Sequence, residues 1–285
     1  MVFINNPRGC LFWCADVAVV LDCSCLGIGS IDRYRAMGKS IPVTHPGTAH
    51  TSATIQPRGT CVRWTCFTCD FKINKNHRLY SDEVYQSLPV MNGHYPIIED
   101  YLRALHDVLD KAIHQYRRVF AFRVDLHFPA GTGGRHDEFC NSVVSRFIES
   151  FKAKIRHNRA VASKTGSCAH GTKVRYFWVR EVGECGRVHY HVLFLLNGDA
   201  FNWLGNYQSS TVNMAHRLWE SWASALGESV ERAKTLVHFP ENPSYMILRD
   251  DPESSAALFH RASYLCKART KQYGAGHHGY GASRG

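Results

Sequence analysis

Residues 174–197, VRYFWVREVGECGRVHYHVLFLLN, constrain the fold more tightly than any other stretch of the chain. Two apolar runs flank a short loop that holds Gly183 and Gly186, the pattern of a β-hairpin. If Glu184, Cys185 and Gly186 form a three-residue loop with Gly186 as its left-handed residue, Gly183 pairs with Arg187 and Glu181 falls opposite His189. Side chains alternate along a strand, so His189, His191 and Glu181 then share one face. Two imidazoles and a carboxylate across the ladder form a compact N,N,O site for a divalent metal. An isolated His-x-His reads as no more than a polar sheet face. Here residues 192–196 are apolar on both faces, which places the strand centrally, where unpaired imidazole and carboxylate would be costly. A shared metal satisfies all three groups.

Around the hairpin the periodicities spell out a mixed domain. Ile98, Tyr101, Leu102, Leu105, Val108, Leu109, Ala112, Ile113 and Tyr116 recur at three and four, an amphipathic helix. Phe120, Phe122, Val124, Leu126 and Phe128 then alternate with Arg123, Asp125 and His127, a strand with one polar face that either borders the metal site or meets water. The loop at residues 131–134 is Gly-rich but lacks the Lys and Ser or Thr of a P-loop. A second helix is expected over residues 137–157 and a third, marked by Met214, Leu218, Trp222 and Leu226, ending at Gly227. Trp219 and Trp222 read as core residues. Short strands are expected near residues 235–239 and 245–249, before a last helix over 254–272.

The first seventy residues differ in character, so residues 1–70 are read as a poorly structured extension or a mis-assigned start, and 71–285 as the folded domain. Residues 10–29 are apolar but broken by Asp16 and Asp22, which suits neither a membrane span nor an export signal. Residues 41–59 turn to Pro, Thr, Gly and Ser without a period. Cys61, Cys66, Cys69 and His77 do not have a strong zinc spacing. Eleven cysteines without an export signal argue for a reducing cytosol.

Charge points to the partner. The formal net charge is +10, and it is concentrated: residues 151–175 carry seven Lys or Arg and no acid, and residues 254–285 carry five and none. Acid-free basic segments suggest a polyanion, nucleic acid before a membrane. Within the second of them, Tyr264, Lys267 and Lys271 stand at i, i+3 and i+7 and would project from one side of a helix. A phenol beside ammonium groups is a candidate nucleophile, because a nearby cation favours the phenolate. Tyr273 is a weaker second candidate.

These residues resemble a known family. His189-Tyr190-His191 matches the His-hydrophobic-His motif of HUH endonucleases, the rolling-circle replication initiators and relaxases, and Tyr264-Leu265-Cys266-Lys267 matches their Tyr-x-x-Lys motif. Residues 88–285 are similar to the prophage YagK/YfjJ C-terminal domain family, related to the inovirus gene-two replication protein, through FAFRVDLHFP, YFWVREVGE, HYHVLFLLN and SYLCKARTKQYG. The resemblance implies an α+β, RRM-like HUH fold with a mainly antiparallel central sheet and helices packed on one face. It implies that His189, His191 and Glu181 bind Mg²⁺ or Mn²⁺, and that Tyr264 attacks a scissile phosphate of single-stranded DNA at a replication origin, with Lys267 steadying the phosphate or the tyrosine. Arg156, Arg159, Lys164, Lys173 and Lys271 are the expected contacts to the DNA backbone. Host replication proteins are further expected partners, and a membrane is not. A second active tyrosine at i+3 or i+4 from Tyr264 is absent, which departs from many gene-two-type initiators.

Other classes fit less well. A metallo-β-lactamase pattern needs an Asp where Leu193 stands, and a cupin needs a Glu where Leu195 and Leu196 stand. A non-catalytic DNA-binding protein decayed from an initiator, or a relaxase-like mobilisation protein, are the remaining alternatives.

Overall fold

The computed structural model describes residues 10–14, 17–21, 74–93, 95–130, 141–165, 169–183, 186–273 and 276–285. The chain divides into two units, Met1–Thr65 and Cys66–Gly285. In the first, β1 (Cys10–Cys14) and β2 (Val17–Leu21) form an antiparallel hairpin. The expected linker at 41–59, three of the four zinc-knuckle residues and the Gly-rich loop at 131–134 lie outside the described residues.

The second unit begins with four two-residue strands, β3 (Leu79–Tyr80), β4 (Val84–Tyr85), β5 (Leu88–Pro89) and β6 (Ile97–Ile98). Helix α1 (Glu99–Gln115) leads into β7 (Arg118–His127), and α2 (Ser142–Lys164) precedes the hairpin of β8 (Arg175–Val182) and β9 (Val188–Asn197). Then come α3 (Met214–Leu226), α4 (Val230–Lys234), β10 (Val237–His238), β11 (Ser244–Leu248), α5 (Pro252–Ser263), a 3₁₀ turn (Tyr264–Cys266) and β12 (Tyr280–Ala282). Helix α3 stops where Gly227 takes a left-handed conformation at φ 71°. Among the described residues no helix is long and apolar enough to cross a membrane.

The main sheet runs β10-β7-β9-β8-β12, with β11 also pairing β7, and each of these pairings is antiparallel. Strands β10 and β11 lie on the same edge of β7, at opposite ends of it. The interruption between them contains Pro240 and Pro243, which cannot donate to a ladder. The expected hairpin places β9 at the centre, with β7 on one side and β8 on the other.

Period-two alternation divides the side chains between two cores. Phe120, Phe122, Val124 and Leu126 of β7 and Tyr190, Val192, Phe194 and Leu196 of β9 face α2 and α3, including Phe147, Phe151, Leu218 and Trp222. Trp219 and Trp222 are buried here, as core residues. Val119, Ala121, Phe177, Val179, Leu193 and Leu195 face α1 and α5. The α+β class and the antiparallel sheet match the sequence reading. The helices, however, flank both faces of the sheet instead of one, because β8 and β9 are apolar on both faces and leave neither face suited to water.

Candidate metal centre

The hairpin register is the one that the glycines imply. Glu181 pairs with His189 and Val182 with Val188, the Gly183 amide donates to the Arg187 carbonyl at 2.9 Å, and Gly186 sits at φ 71°. Glu184 and Cys185 lie outside the described residues. Glu181, His189 and His191 therefore emerge on the α1/α5 face, at the hairpin end of the strands beyond the Leu193 and Leu195 that the helices cover. One ligand atom from each of the three lies within 4.8 Å of the others.

Both imidazoles turn Nε2 toward the same carboxylate oxygen. Glu181 Oε2 is 3.5 Å from His191 Nε2 and 3.9 Å from His189 Nε2. Two imidazole nitrogens and a carboxylate oxygen this close together could hold a divalent metal ion. The far side of the His191 ring is fixed. His191 Nδ1 lies 2.6 Å from Asp125 Oδ1 and 3.0 Å from a terminal nitrogen of Arg123, so the carboxylate takes the Nδ1–H and the ring is held with Nε2 turned toward Glu181. Arg123 clamps the same carboxylate with Nε to Oδ1 and a terminal nitrogen to Oδ2, each at 3.0 Å.

Electrostatics keeps Glu181 ionised and His189 neutral. Burial pushes the Glu181 carboxyl up, but His191, Lys271 and Lys267 together more than offset that and hold it well below the usual carboxylate range. Asp125 is likewise held low, its burial outweighed by His191 and Arg123. Burial, followed by the repulsion of His191, brings the His189 imidazole down to about 4, so it is neutral near pH 7.

The Tyr-x-x-Lys segment meets the cluster, though not on the helix expected over 254–272. Helix α5 ends at Ser263, Tyr264 opens the 3₁₀ turn, and Lys267 is extended at φ −55° and ψ 140° in a bridge to Ile97. The Ala268 amide bonds to the Pro96 carbonyl, and Thr270 adopts a left-handed φ of 73°. Pairing with the residues before α1 has thus pulled the chain out of the helix. Lys267 and Lys271 still converge, because the turn carries both past Glu181. Lys267 Nζ is 3.4 Å from Oε2 and Lys271 Nζ is 2.6 Å from Oε1, while the Thr270 hydroxyl donates to Oε2 at 2.8 Å. The Lys267 ammonium also sits over the Tyr264 ring, 3.9 Å from its centroid. Tyr264 is half-buried beside the cluster.

Other expected residues lie elsewhere. Tyr273 packs on His77 with ring centroids 5.2 Å apart, and burial pushes its phenol up to about 12. Lys271, expected to touch DNA, is buried against Glu181 with its side chain 1% exposed. Arg156, Arg159 and Lys164 are on α2, on the opposite face of the sheet. The N-cap residue of α2, Asn141, bonds the Tyr190 hydroxyl near the hairpin end, so at 1.5 Å per residue Arg156 is about 20 Å further along the helix. Lys173 precedes β8, about 25 Å along the chain from Glu181. A run of basic residues in sequence does not reveal which face will carry it. Conversely, Asp125, Arg123 and Thr270 belong to the site. Of these, Arg123 and Asp125 were signalled by the polar face of their strand, and Thr270 was not.

Comparison with known proteins identifies relatives of this chain. The model of the YagK/YfjJ C-terminal domain family matches residues 80–283. Two proteins of Escherichia coli (strain K12), both described as uncharacterized, are similar. YfjJ is 31% identical over 195 residues, covering 65% of this chain and 94% of YfjJ. YagK is 31% identical over 195 residues, covering 66% of this chain and 93% of YagK. No solved structure gives a significant match. With the family model spanning β3 to β12 and both relatives covered almost end to end, this chain belongs to the YagK/YfjJ C-terminal domain family.

Proposed function

We propose that this chain is a metal-dependent, site-specific nicking enzyme for single-stranded DNA, of the HUH type, that initiates rolling-circle replication of a phage or prophage element. The observation that carries this reading is the convergence of Glu181, His189 and His191 within 4.8 Å, with Lys267 linking Glu181 to the ring of Tyr264. A metal cluster and a tyrosine side by side are the parts that phosphoryl transfer to a phenol requires.

His189, His191 and Glu181 would hold Mg²⁺ or Mn²⁺, which when bound neutralises charge developing on the scissile phosphate. Asp125 keeps the His191 imidazole aimed. The Tyr264 oxygen attacks phosphorus and the bond to the 3′ oxygen breaks. This leaves a 5′-phosphotyrosine and a free 3′-hydroxyl, which takes up a proton as the phenol loses one. Lys267, already at the tyrosine ring, supplies positive charge to the phosphate.

The test is cleavage of end-labelled single strands tiling the element's own sequence, with Mn²⁺ or with EDTA. One strand is expected to be cut at a single position with Mn²⁺ and not with EDTA, and neither His189→Ala nor His191→Ala is expected to cut it. Cutting that persists in both variants would refute the role given to the cluster.

A further inference from the structure

Arg180 precedes Glu181 on β8 and, by strand alternation, belongs to the other face of the sheet. It shares that face with Trp178 and Val182 and with its cross-strand partner Tyr190, all three of which pack in the core under α2 and α3. The residue is only 6% exposed. Its Nε is sealed from water without a hydrogen-bond partner, and among the described residues its guanidinium enters no ion pair. Arg175, as deeply buried on the same strand, is by contrast bonded to the Gln115 side chain and the Gly285 carbonyl. Arginine stays charged at any physiological pH, so burying it without a counter-charge is strongly unfavourable.

The start of α2 adds positive potential at the same place. Asn141, the N-cap residue, accepts a hydrogen bond from the Tyr190 hydroxyl at 3.0 Å and donates to the His278 carbonyl at 2.8 Å. Tyr190 stands on β9 opposite Arg180, and on the other side of β8 the Arg180 amide donates to the Gly279 carbonyl at 2.8 Å. Arg180 thus lies between the two anchors of Asn141. Because the Asn141 side chain is spent on these anchors, it does not cap the helix, and the first turn of α2 carries no acid of its own. The positive end of a 23-residue helix and a buried guanidinium therefore meet with no carboxylate supplied by either.

We propose that Arg180 and the first turn of α2 form a binding site for a phosphate group, on the sheet face opposite the metal centre. A tetrahedral oxyanion suits both parts, since it accepts from the forked guanidinium and is favoured at a helix N-terminus. The net charge of +10 suits a DNA strand as the source of that phosphate, and free phosphate offers the same chemistry. The site uses neither the metal cluster nor Tyr264, so it stands apart from the nicking reading.

The experiment measures binding of inorganic phosphate to the full chain by equilibrium dialysis in EDTA, together with urea midpoints in phosphate and in chloride at equal ionic strength. Wild type is expected to bind phosphate, and Arg180→Met to lose about tenfold or more in affinity. Methionine keeps an apolar stem without the charge, so the Arg180→Met midpoint is expected to match or exceed wild type in chloride and to fall below it in phosphate. Phosphate also stabilises proteins by exclusion from their surface, which affects both chains alike, so the crossing of the midpoints is the signal. Arg180→Lys keeps the charge without the fork and is expected to bind phosphate about fivefold more weakly or worse; it decides alone if Arg180→Met does not fold. Anisotropy of dye-labelled oligothymidine then distinguishes the sources. A loss of affinity in the variant with a salt slope lower by about 0.7 identifies a strand phosphate, and oligothymidine binding equal to wild type identifies free phosphate. Phosphate affinity equal to wild type in every variant that folds, or an Arg180→Met midpoint lowered equally in both salts, would overturn the proposal and leave Arg180 a packing residue. Failure to nick any DNA would refute the enzymatic reading and leave this result untouched.

Discussion

Lys271 Nζ lies 2.6 Å from Glu181 Oε1, and both side chains are almost wholly removed from water, at 1% and 3% exposure. A buried ammonium against a buried carboxylate is stable only as a pair. The pairing fixes Oε1 and leaves Oε2 turned toward the two imidazoles. Lys271 thus acts through Glu181 and not on DNA.

Removing the lysine alone should therefore be the harmful step. Lys271→Met is expected to lower unfolding free energy by about 3 kcal/mol, and the double variant with Glu181→Gln to recover a measurable part of that loss. Urea denaturation of the two single variants and the double variant gives the coupling. Losses that simply add would show that the pair is not the unit described.

Asp125 should matter to metal binding more than to folding. Asp125→Asn keeps the shape but weakens the acceptor for His191 Nδ1–H, and is expected to loosen Mn²⁺ binding about tenfold or more by calorimetry. Unchanged affinity would mean that packing alone orients His191.

Acid should destabilise the fold in two stages. With the His189 pKa brought from 6.5 to about 4, the unfolded chain binds a proton between these values that the folded chain refuses. Stability therefore falls as pH drops from about 6.5 to 4, by up to about 3 kcal/mol from this group. Asp125 and Glu181 are held below their usual values, so what they contribute is present above about pH 4.5 and is lost as pH falls further. His189→Gln should flatten the first stage and leave the second. Denaturation midpoints measured from pH 7 to 3 decide it, and an unaltered upper stage would remove His189 as its source.

Much of this was legible from local pattern. Alternation and one glycine suffice to set Glu181 opposite His189, because a hairpin register depends only on neighbours in the chain. The contact of Asp125 with His191 needs the β7–β9 pairing across more than sixty residues, and only the polar face of β7 hinted at it. Helical spacing put Tyr264, Lys267 and Lys271 on one side for a reason that does not hold. A bridge from Lys267 to Ile97 ends the helix, and nothing near residue 267 announces a partner 170 positions away. The basic run on α2 likewise carried no sign of its face, since charge alone has no period.

The most direct test of the central claim is a search for the covalent intermediate. Protein, Mn²⁺ and the single strand that it cuts are mixed, denatured and resolved by gel and mass spectrometry. The expected result is an adduct carrying the fragment 3′ of the cut, linked to Tyr264, present in Tyr273→Phe and absent in Tyr264→Phe while Mn²⁺ binding is retained. An adduct that survives Tyr264→Phe and vanishes in Tyr273→Phe would move the nucleophile, and cleavage with no adduct at all would contradict the tyrosine mechanism.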